Sequence, residues 1–165
     1  MYISVCGSSS CSEEVSRLAY EVGAEIARSG HVLICGGLGG VMDAAAHGAT
    51  DFDGISVGIL PGPDRLHSSR WLTISIPTDM GHARNAIVAL AADAIIAVSG
   101  GYGTLSEIAL GMKMGKPVIG LETWELGGRG GEIRIVPALT PKEAVELAVK
   151  LGSIPPRVSP GLDNA

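Results

Sequence analysis

Residues 99–110 read SGGYGTLSEIAL and place a carboxylate, Glu107, shortly after a run of glycines. A carboxylate beside a ligand can stabilise developing positive charge or activate a water molecule. The same spacing has a structural explanation, because Thr104 and Glu107 match a capping box, in which a hydroxyl at a helix start and a carboxylate three residues later each bind a backbone N–H. Taken alone the stretch favours the cap, so the rest of the chain must decide between the two interpretations.

Arg84 is the second residue whose position suggests chemistry. It lies in the segment His82-Ala83-Arg84-Asn85, at the predicted start of a helix. A positive side chain is unfavourable at a helix N-terminus, where the helix dipole is itself positive, so an anionic partner would explain the placement. An ordinary surface ion pair explains it equally well. Since all lysines lie in the last third of the chain, an earlier phosphate site would use arginine, backbone amides and hydroxyls.

Glycine-rich turns follow several predicted strands. CGSSS (6–10) follows the first, GGLGG (36–40) the second and GGYGT (100–104) the fifth. In a parallel sheet these loops gather at one edge, where helix N-termini offer free N–H groups to an anion. The pattern predicts a phosphate cradle formed by Gly7, Ser8, Ser9, Gly36, Gly37, Gly39, Gly40, Gly100, Gly101, Gly103 and Thr104. The serine hydroxyls could equally be helix caps, and no turn spells GxGxxG or a Walker motif, so no dinucleotide cofactor is inferred.

Apolar runs rich in Ile and Val alternate with helical patterns along the chain. The strands mostly lack polar alternation, which is typical of strands buried on both faces of a parallel sheet. Strands are predicted over 2–6, 32–35, 55–60, 72–76, 94–98, 118–121 and, weakly, 133–136, and helices over 12–29, 40–48, 81–91, 104–114 and 141–151. Thr140 is the expected cap of the last helix, with Pro141 in its first turn. This alternation predicts an α/β three-layer sandwich with a mostly parallel, doubly wound sheet of about seven strands.

The composition of the chain bears on its class. The 165 residues, 46% of them hydrophobic, suit one domain over 1–151, with 152–165 as a loose extension. A net charge of −5 and 4% aromatic residues are unfavourable for binding nucleic acid. No apolar run reaches the ~18 residues of a membrane span, and the cysteines and histidines lack metal-site spacing, so neither membrane nor metal is predicted. Reduced cysteines and the missing leader pattern indicate a cytoplasmic protein.

Five segments together resemble a known family. CGSSS (6–10), GGLGGVMDAAAHGA (36–49), VGILPG (57–62), ARN (83–85) and SGGYGTLSE (99–107) resemble the LOG family, formerly labelled lysine decarboxylases. The likeness covers roughly residues 1–122, and the family motif PGGxGTxxE is matched except at its first position, where Ser99 replaces proline. Within the wider group the chain is similar to the DprA-related branch that includes the molybdenum cofactor carrier proteins.

The resemblance implies a Rossmann-like fold, a homodimer or homotetramer, and a glycine motif that holds phosphate and ribose. In the LOG enzymes, which hydrolyse cytokinin riboside 5′-monophosphates, an arginine and the motif glutamate are needed for cleavage, and they correspond here to Arg84 and Glu107. The matched segments add Met42 and Asn85 to the ligand contacts, although the family's enzymes usually have lysine in place of Asn85. Departure of a base from ribose leaves an oxocarbenium-like centre that a carboxylate can stabilise. Pyridoxal-dependent decarboxylation is not implied, because it needs a Schiff-base lysine.

Two functions stay open. The enzyme hypothesis is hydrolysis of a nucleoside 5′-monophosphate to base and ribose 5-phosphate. The binding hypothesis is a carrier or sensor that holds a nucleotide, a phosphate or the molybdenum cofactor without turnover. Neither hypothesis requires a further cofactor, and both predict a small phosphorylated ligand at the carboxyl edge of the sheet.

Overall fold

The computed structural model describes residues 1–126 and 135–153 of the chain. In these ranges the strands are β1 Tyr2–Cys6, β2 Val32–Cys35, β3 Ser56–Leu60, β4 Ile74–Pro77, β5 Ala94–Val98, β6 Val118–Leu121 and β7 Val136–Pro137. The helices are α1 Glu13–Arg28, α2 Val41–Asp51, α3 Asn85–Leu90, α4 Tyr102–Lys113 and α5 Pro141–Gly152, with a 3-10 turn over Gly81–Arg84.

The strands form a seven-stranded sheet in the order β4-β3-β2-β1-β5-β6-β7, and each pairing is parallel. Helices α1, α2 and α5 pack on one face, against a core that includes Ile3, Leu33 and Ile96. Helices α3 and α4 cover the other face, where Val88 and Ile108 are fully buried. The predicted three-layer, doubly wound α/β fold is confirmed, and the sheet is parallel throughout the described residues.

The strand order reverses between β1 and β5, at the centre of the sheet. From β1 the chain proceeds outward to β4, then returns to β5 and proceeds outward again through β6 and β7. The connections after β1 and β5 therefore leave on opposite faces. Ligands of open α/β sheets bind in the crevice that such a reversal creates at the carboxyl ends of the strands.

Helix α4 begins earlier than the sequence predicts. It starts at Tyr102 with Gly101 as its N-cap, and no side chain caps it. The predicted capping box is therefore wrong: Thr104 lies in the first turn, with its side chain buried, and Glu107 lies one turn further on. The helix predicted over 81–91 is divided into the 3-10 turn and α3.

The C-terminal part agrees better with prediction. Thr140 caps α5 as expected, its hydroxyl accepting the Glu143 N–H at 3.2 Å. The weakly predicted strand over 133–136 is found as β7, although 133 and 134 lie outside the described residues. Gly152 ends α5, and 154–165, most of the predicted extension, also lies outside them. Among the helices of the described ranges, none has the length and apolar character needed to cross a membrane.

Candidate ligand site

A hollow of about 300 Å³, here called the central hollow, lies at the carboxyl edge of the sheet where the loops after β1 and β5 meet. The strand order reverses at this point, and the hollow lies where the glycine turns predict a ligand site. Its lining consists of Gly7, Ser8, Ser9, Leu38, Met42, His82, Arg84, Asn85, Gly101, Tyr102, Gly103, Thr104 and Glu107.

Arg84 and Glu107 meet in the central hollow from two different elements. Arg84 ends the 3-10 turn and Glu107 lies in α4, and Arg84 Nη1 is 3.4 Å from Glu107 Oε1. Their side chains are only 9% and 8% exposed. The surface ion pair considered for Arg84 is therefore wrong, because the pair is buried. A separation of 3.4 Å is long for a charge-assisted hydrogen bond, so each group is only partly compensated.

Burial changes the protonation behaviour of both groups. Removal of the carboxylate from water raises the pKa of Glu107 to about 7, although the positive charge of Arg84 opposes the shift. Burial likewise lowers the pKa of Arg84, against the opposing effect of Glu107. Two desolvated charges joined by one long contact are costly to maintain. An anion that reached Arg84 would replace part of the lost hydration.

Two further observations indicate where an anion would bind. Among the described residues, Arg84 Nε and Thr104 Oγ1 are buried and have no hydrogen-bond partner. Buried polar atoms are nearly always paired, and both of these unpaired donors belong to residues that line the central hollow, so they make it the candidate ligand site. The third such atom, Ser4 Oγ, lies within β1 and does not line the central hollow.

The N-terminus of α4 supplies backbone donors at the same place. The helix has twelve residues, no side-chain cap and no acidic residue in its first turn. The first N–H groups of a helix have no partner within it, and the dipole there favours negative charge. We call Arg84, Thr104 and the first turn of α4 the anion cradle.

The glycines after β2 form the rear of the site. A Cβ atom at Gly36 would lie 2.2 Å from Arg84 Nη1, so the guanidinium occupies the space that any side chain there would need. The loops after β1 and β2 are joined, since the Val41 N–H donates to the Ser8 carbonyl at 3.0 Å. These glycines leave room for Arg84 and for the loop after β1 without lining the central hollow themselves.

The structure brings most of the predicted ligand residues together. Those that line the central hollow are Gly7, Ser8, Ser9, Met42, Arg84, Asn85, Gly101, Gly103, Thr104 and Glu107, and those that do not are Gly36, Gly37, Gly39, Gly40 and Gly100. The amide of Asn85 already donates to Ser106 Oγ at 2.7 Å and so joins the start of α3 to α4. The alternative of Ser8 and Ser9 as caps of α1 is wrong, because Ser12 caps that helix.

Three residues of the lining were missed from the sequence. Leu38 and Tyr102 occupy the variable positions inside two of the glycine turns, and that location was the available signal. His82 lies two residues before Arg84, but its place in the lining depends on the 3-10 turn, which the sequence does not predict. In the described part of the chain, no group of three or more His, Cys, Asp or Glu residues lies close enough to hold a metal ion.

The fold defines a Rossmann-like α/β protein, and comparison with known proteins defines its family. Residues 1–149 match the SLOG cluster4 family, so the chain belongs to that family. A protein of Archaeoglobus fulgidus, described only as uncharacterized, is 53% identical over 122 residues, which are 74% of this chain and 80% of the relative.

Two solved structures are similar over nearly the whole length. The molybdenum cofactor binding protein of Rippkaea orientalis is 36% identical with a TM-score of 0.85, covering 90% of this chain and 95% of that one. The molybdenum cofactor carrier protein of Chlamydomonas reinhardtii is 31% identical with a TM-score of 0.77, covering 91% and 96%. The predicted resemblance to this branch of LOG-like and DprA-like proteins is confirmed.

Proposed function

We propose that the protein binds a small phosphorylated molecule at the anion cradle and carries it without turnover. The observation that supports this most is the convergence of two unpartnered buried donors, Arg84 Nε and Thr104 Oγ1, with the uncapped N-terminus of α4. A phosphate group offers several acceptor oxygens, and a guanidinium and helix N–H groups suit it in both charge and geometry.

The similar solved structures favour a particular class of cargo. Both are described as proteins that bind or carry the molybdenum cofactor. That cofactor contains a pterin with a phosphate group, and the anion cradle would bind this phosphate. We therefore propose a molybdopterin-type cofactor as the leading ligand, with nucleoside monophosphates as the chemically nearest alternative.

A second function, hydrolysis of the N-glycosidic bond of a nucleoside 5′-monophosphate, is favoured by Glu107. Its pKa of about 7 means that protonated and charged carboxyl groups coexist near neutral pH. The charged form suits stabilisation of an oxocarbenium-like centre, and the protonated form could deliver a proton to the departing base. The single carboxyl in this lining would have to serve both steps, and for that reason we place the enzyme second.

One experiment separates the two functions. Purified protein is incubated with AMP while binding is followed by calorimetry and free adenine by chromatography. The carrier proposal expects AMP or a pterin phosphate to bind with no adenine released. Adenine formation that Glu107→Gln abolishes would establish the hydrolase instead. If the wild-type protein bound none of inorganic phosphate, AMP and pterin phosphates, both functions would fail. Equal binding by Arg84→Lys, which lacks the planar guanidinium, would exclude Arg84 from the anion cradle.

We propose a cytoplasmic homodimer or homotetramer that does not bind nucleic acid or membranes and needs no metal or further cofactor for binding. Sedimentation of the purified protein gives the subunit number. The absence of a mobility shift with oligonucleotides at low salt, where phosphate contacts are strongest, would support the exclusion of nucleic acid.

A further inference from the structure

One exposed aromatic side chain of the central hollow lies beside a second exposed aromatic side chain outside its lining. Tyr102, the first residue of α4, lines the hollow and is 85% exposed. Trp124, in the segment after β6, is 36% exposed, and its ring centroid is 6.4 Å from that of Tyr102 with the ring planes inclined by 32°. Burial of an aromatic ring away from water is strongly favourable. A pair left open beside a buried anion site therefore calls for an explanation.

The size of the central hollow indicates that a bound ligand extends to these rings. About 300 Å³ is at the lower end of the range for ligand pockets, so the hollow would enclose a nucleotide or a phosphorylated pterin only in part. A ligand anchored by its phosphate at the start of α4 would meet Tyr102 as it leaves the hollow, because Tyr102 belongs to that same turn. Trp124 also lines a second hollow of about 420 Å³.

The charge around Arg84 differs in sign from the charge around Trp124. Arg84 provides a buried positive charge in the central hollow, whereas the exposed Glu122 and Glu125 lie close to Trp124 in the sequence. A second anionic group would be repelled near Trp124. A neutral planar ring fits there, because a flat heterocycle stacks on aromatic side chains irrespective of its hydrogen-bonding pattern.

We propose that Tyr102 and Trp124 form a stacking platform for the planar fused heterocycle of the ligand, a pterin or a purine, whose phosphate lies in the anion cradle. This inference rests on the proposed function, since the cradle must hold the phosphate first. The anion cradle binds the phosphate and the platform binds the heterocycle. Ligands with and without a heterocycle therefore measure the two contributions separately.

The two tryptophans of the chain allow a direct optical test. Trp71 is stacked on His47, with ring centroids 3.8 Å apart, and it lines neither hollow. The variant Trp71→Phe leaves Trp124 as the only indole. Neopterin monophosphate and AMP carry a fused heterocycle, whereas ribose 5-phosphate carries none. We expect either heterocyclic ligand to quench the fluorescence of Trp124, and ribose 5-phosphate to bind by calorimetry with no such change.

A second variant measures the energy of the platform. Tyr102→Ala should weaken binding of a heterocyclic ligand about tenfold and leave ribose 5-phosphate unaffected. Tyr2→Ala is the matched control, because Tyr2 is an exposed tyrosine in β1 that does not line the central hollow, and it should change neither affinity.

The outcomes separate the two proposals. Equal effects of Tyr102→Ala on heterocyclic ligands and ribose 5-phosphate, or no quenching by heterocyclic ligands that bind, would overturn the platform while leaving the cradle intact. Failure of the wild-type protein to bind any of the three phosphates would refute the proposed function, and the platform with it.

Discussion

Arg84 Nη1 lies 3.4 Å from Glu107 Oε1, both side chains are nearly excluded from solvent, and Arg84 Nε has no hydrogen-bond partner among the described residues. The two residues are 23 positions apart and come from a 3-10 turn and from α4 on the same face of the sheet. The pair is therefore a product of the fold, and we propose that its incomplete bonding makes the site receptive to an anion.

The stability of the protein should depend on pH through Glu107. Its pKa is about 7 in the folded state and ordinary in the unfolded chain, so between these values the folded state binds more protons. Stability must then fall as pH rises through this window. Relative to Glu107→Gln, the wild-type free energy of unfolding should fall by roughly 2–3 kcal/mol between about pH 5 and pH 8. Urea unfolding at several pH values measures the free energy of unfolding of both proteins. Parallel pH profiles for the two would contradict the prediction.

Anion binding should be accompanied by proton uptake. An anion at Arg84 adds negative charge near Glu107 and competes for its partner, so the pKa of the carboxyl rises further and more molecules are protonated at neutral pH. Sulfate is a suitable probe because it does not itself titrate there. Calorimetry in buffers of different ionisation enthalpy should show uptake of a fraction of a proton. Glu107→Gln should bind sulfate without proton uptake. Equal uptake by both proteins would exclude Glu107 as the group that takes up the proton.

Gly36→Ala should weaken phosphate binding by at least about tenfold, because the new methyl group displaces the Arg84 guanidinium and loses a charge-assisted hydrogen bond. A Cβ atom at Gly36 would lie 2.2 Å from Arg84 Nη1, whereas at Gly62 it would meet nothing within 4 Å. Gly62→Ala is therefore the control and should bind normally. Calorimetry with inorganic phosphate makes the comparison, and an unaffected Gly36→Ala protein would show that Arg84 does not contact the anion.

Ser99 should not tolerate the proline that the LOG motif has at this position. Its φ is 51°, in the left-handed region, whereas proline fixes φ near about −65°. The Ser99 N–H also donates to the Leu121 carbonyl at 3.0 Å, a bond that proline removes. Ser99→Pro should therefore lower the free energy of unfolding by more than about 1 kcal/mol, and Ser99→Gly should preserve or raise it. Thermal and urea unfolding of the two variants measure these changes. A proline variant as stable as the wild type would refute the left-handed, hydrogen-bonded conformation of Ser99.

The sequence predicts most of the fold, because its strands are continuous apolar runs and its turns are marked by glycine. It also predicts that Arg84, Glu107 and the loops after β1 and β5 come together, since strand ends of a parallel sheet must meet at one edge. It fails at the start of α4, where the spacing of Thr104 and Glu107 imitates a capping box. The left-handed Ser99 and the extended Gly101 start the helix before Thr104, and those dihedral angles are not encoded in the local pattern.

The role of the glycines after β2 could not be predicted for a similar reason. A glycine that admits a ligand and a glycine that admits another side chain look the same in a sequence. At Gly36 the space is taken by Arg84, a residue 48 positions later in the chain, and only the packed structure reveals it.

The central claim is that the unpartnered hydroxyl of Thr104 serves a ligand, and the variant Thr104→Val tests it most directly. Removing a buried, unpaired hydroxyl at nearly constant volume should leave the free protein as stable or more stable, while the affinity for inorganic phosphate should fall about tenfold. Ser4→Ala removes the other unpaired buried hydroxyl of the described residues, away from the central hollow, and should leave binding unchanged. Equal phosphate affinity in wild type, Thr104→Val and Ser4→Ala, measured by calorimetry, would contradict the account.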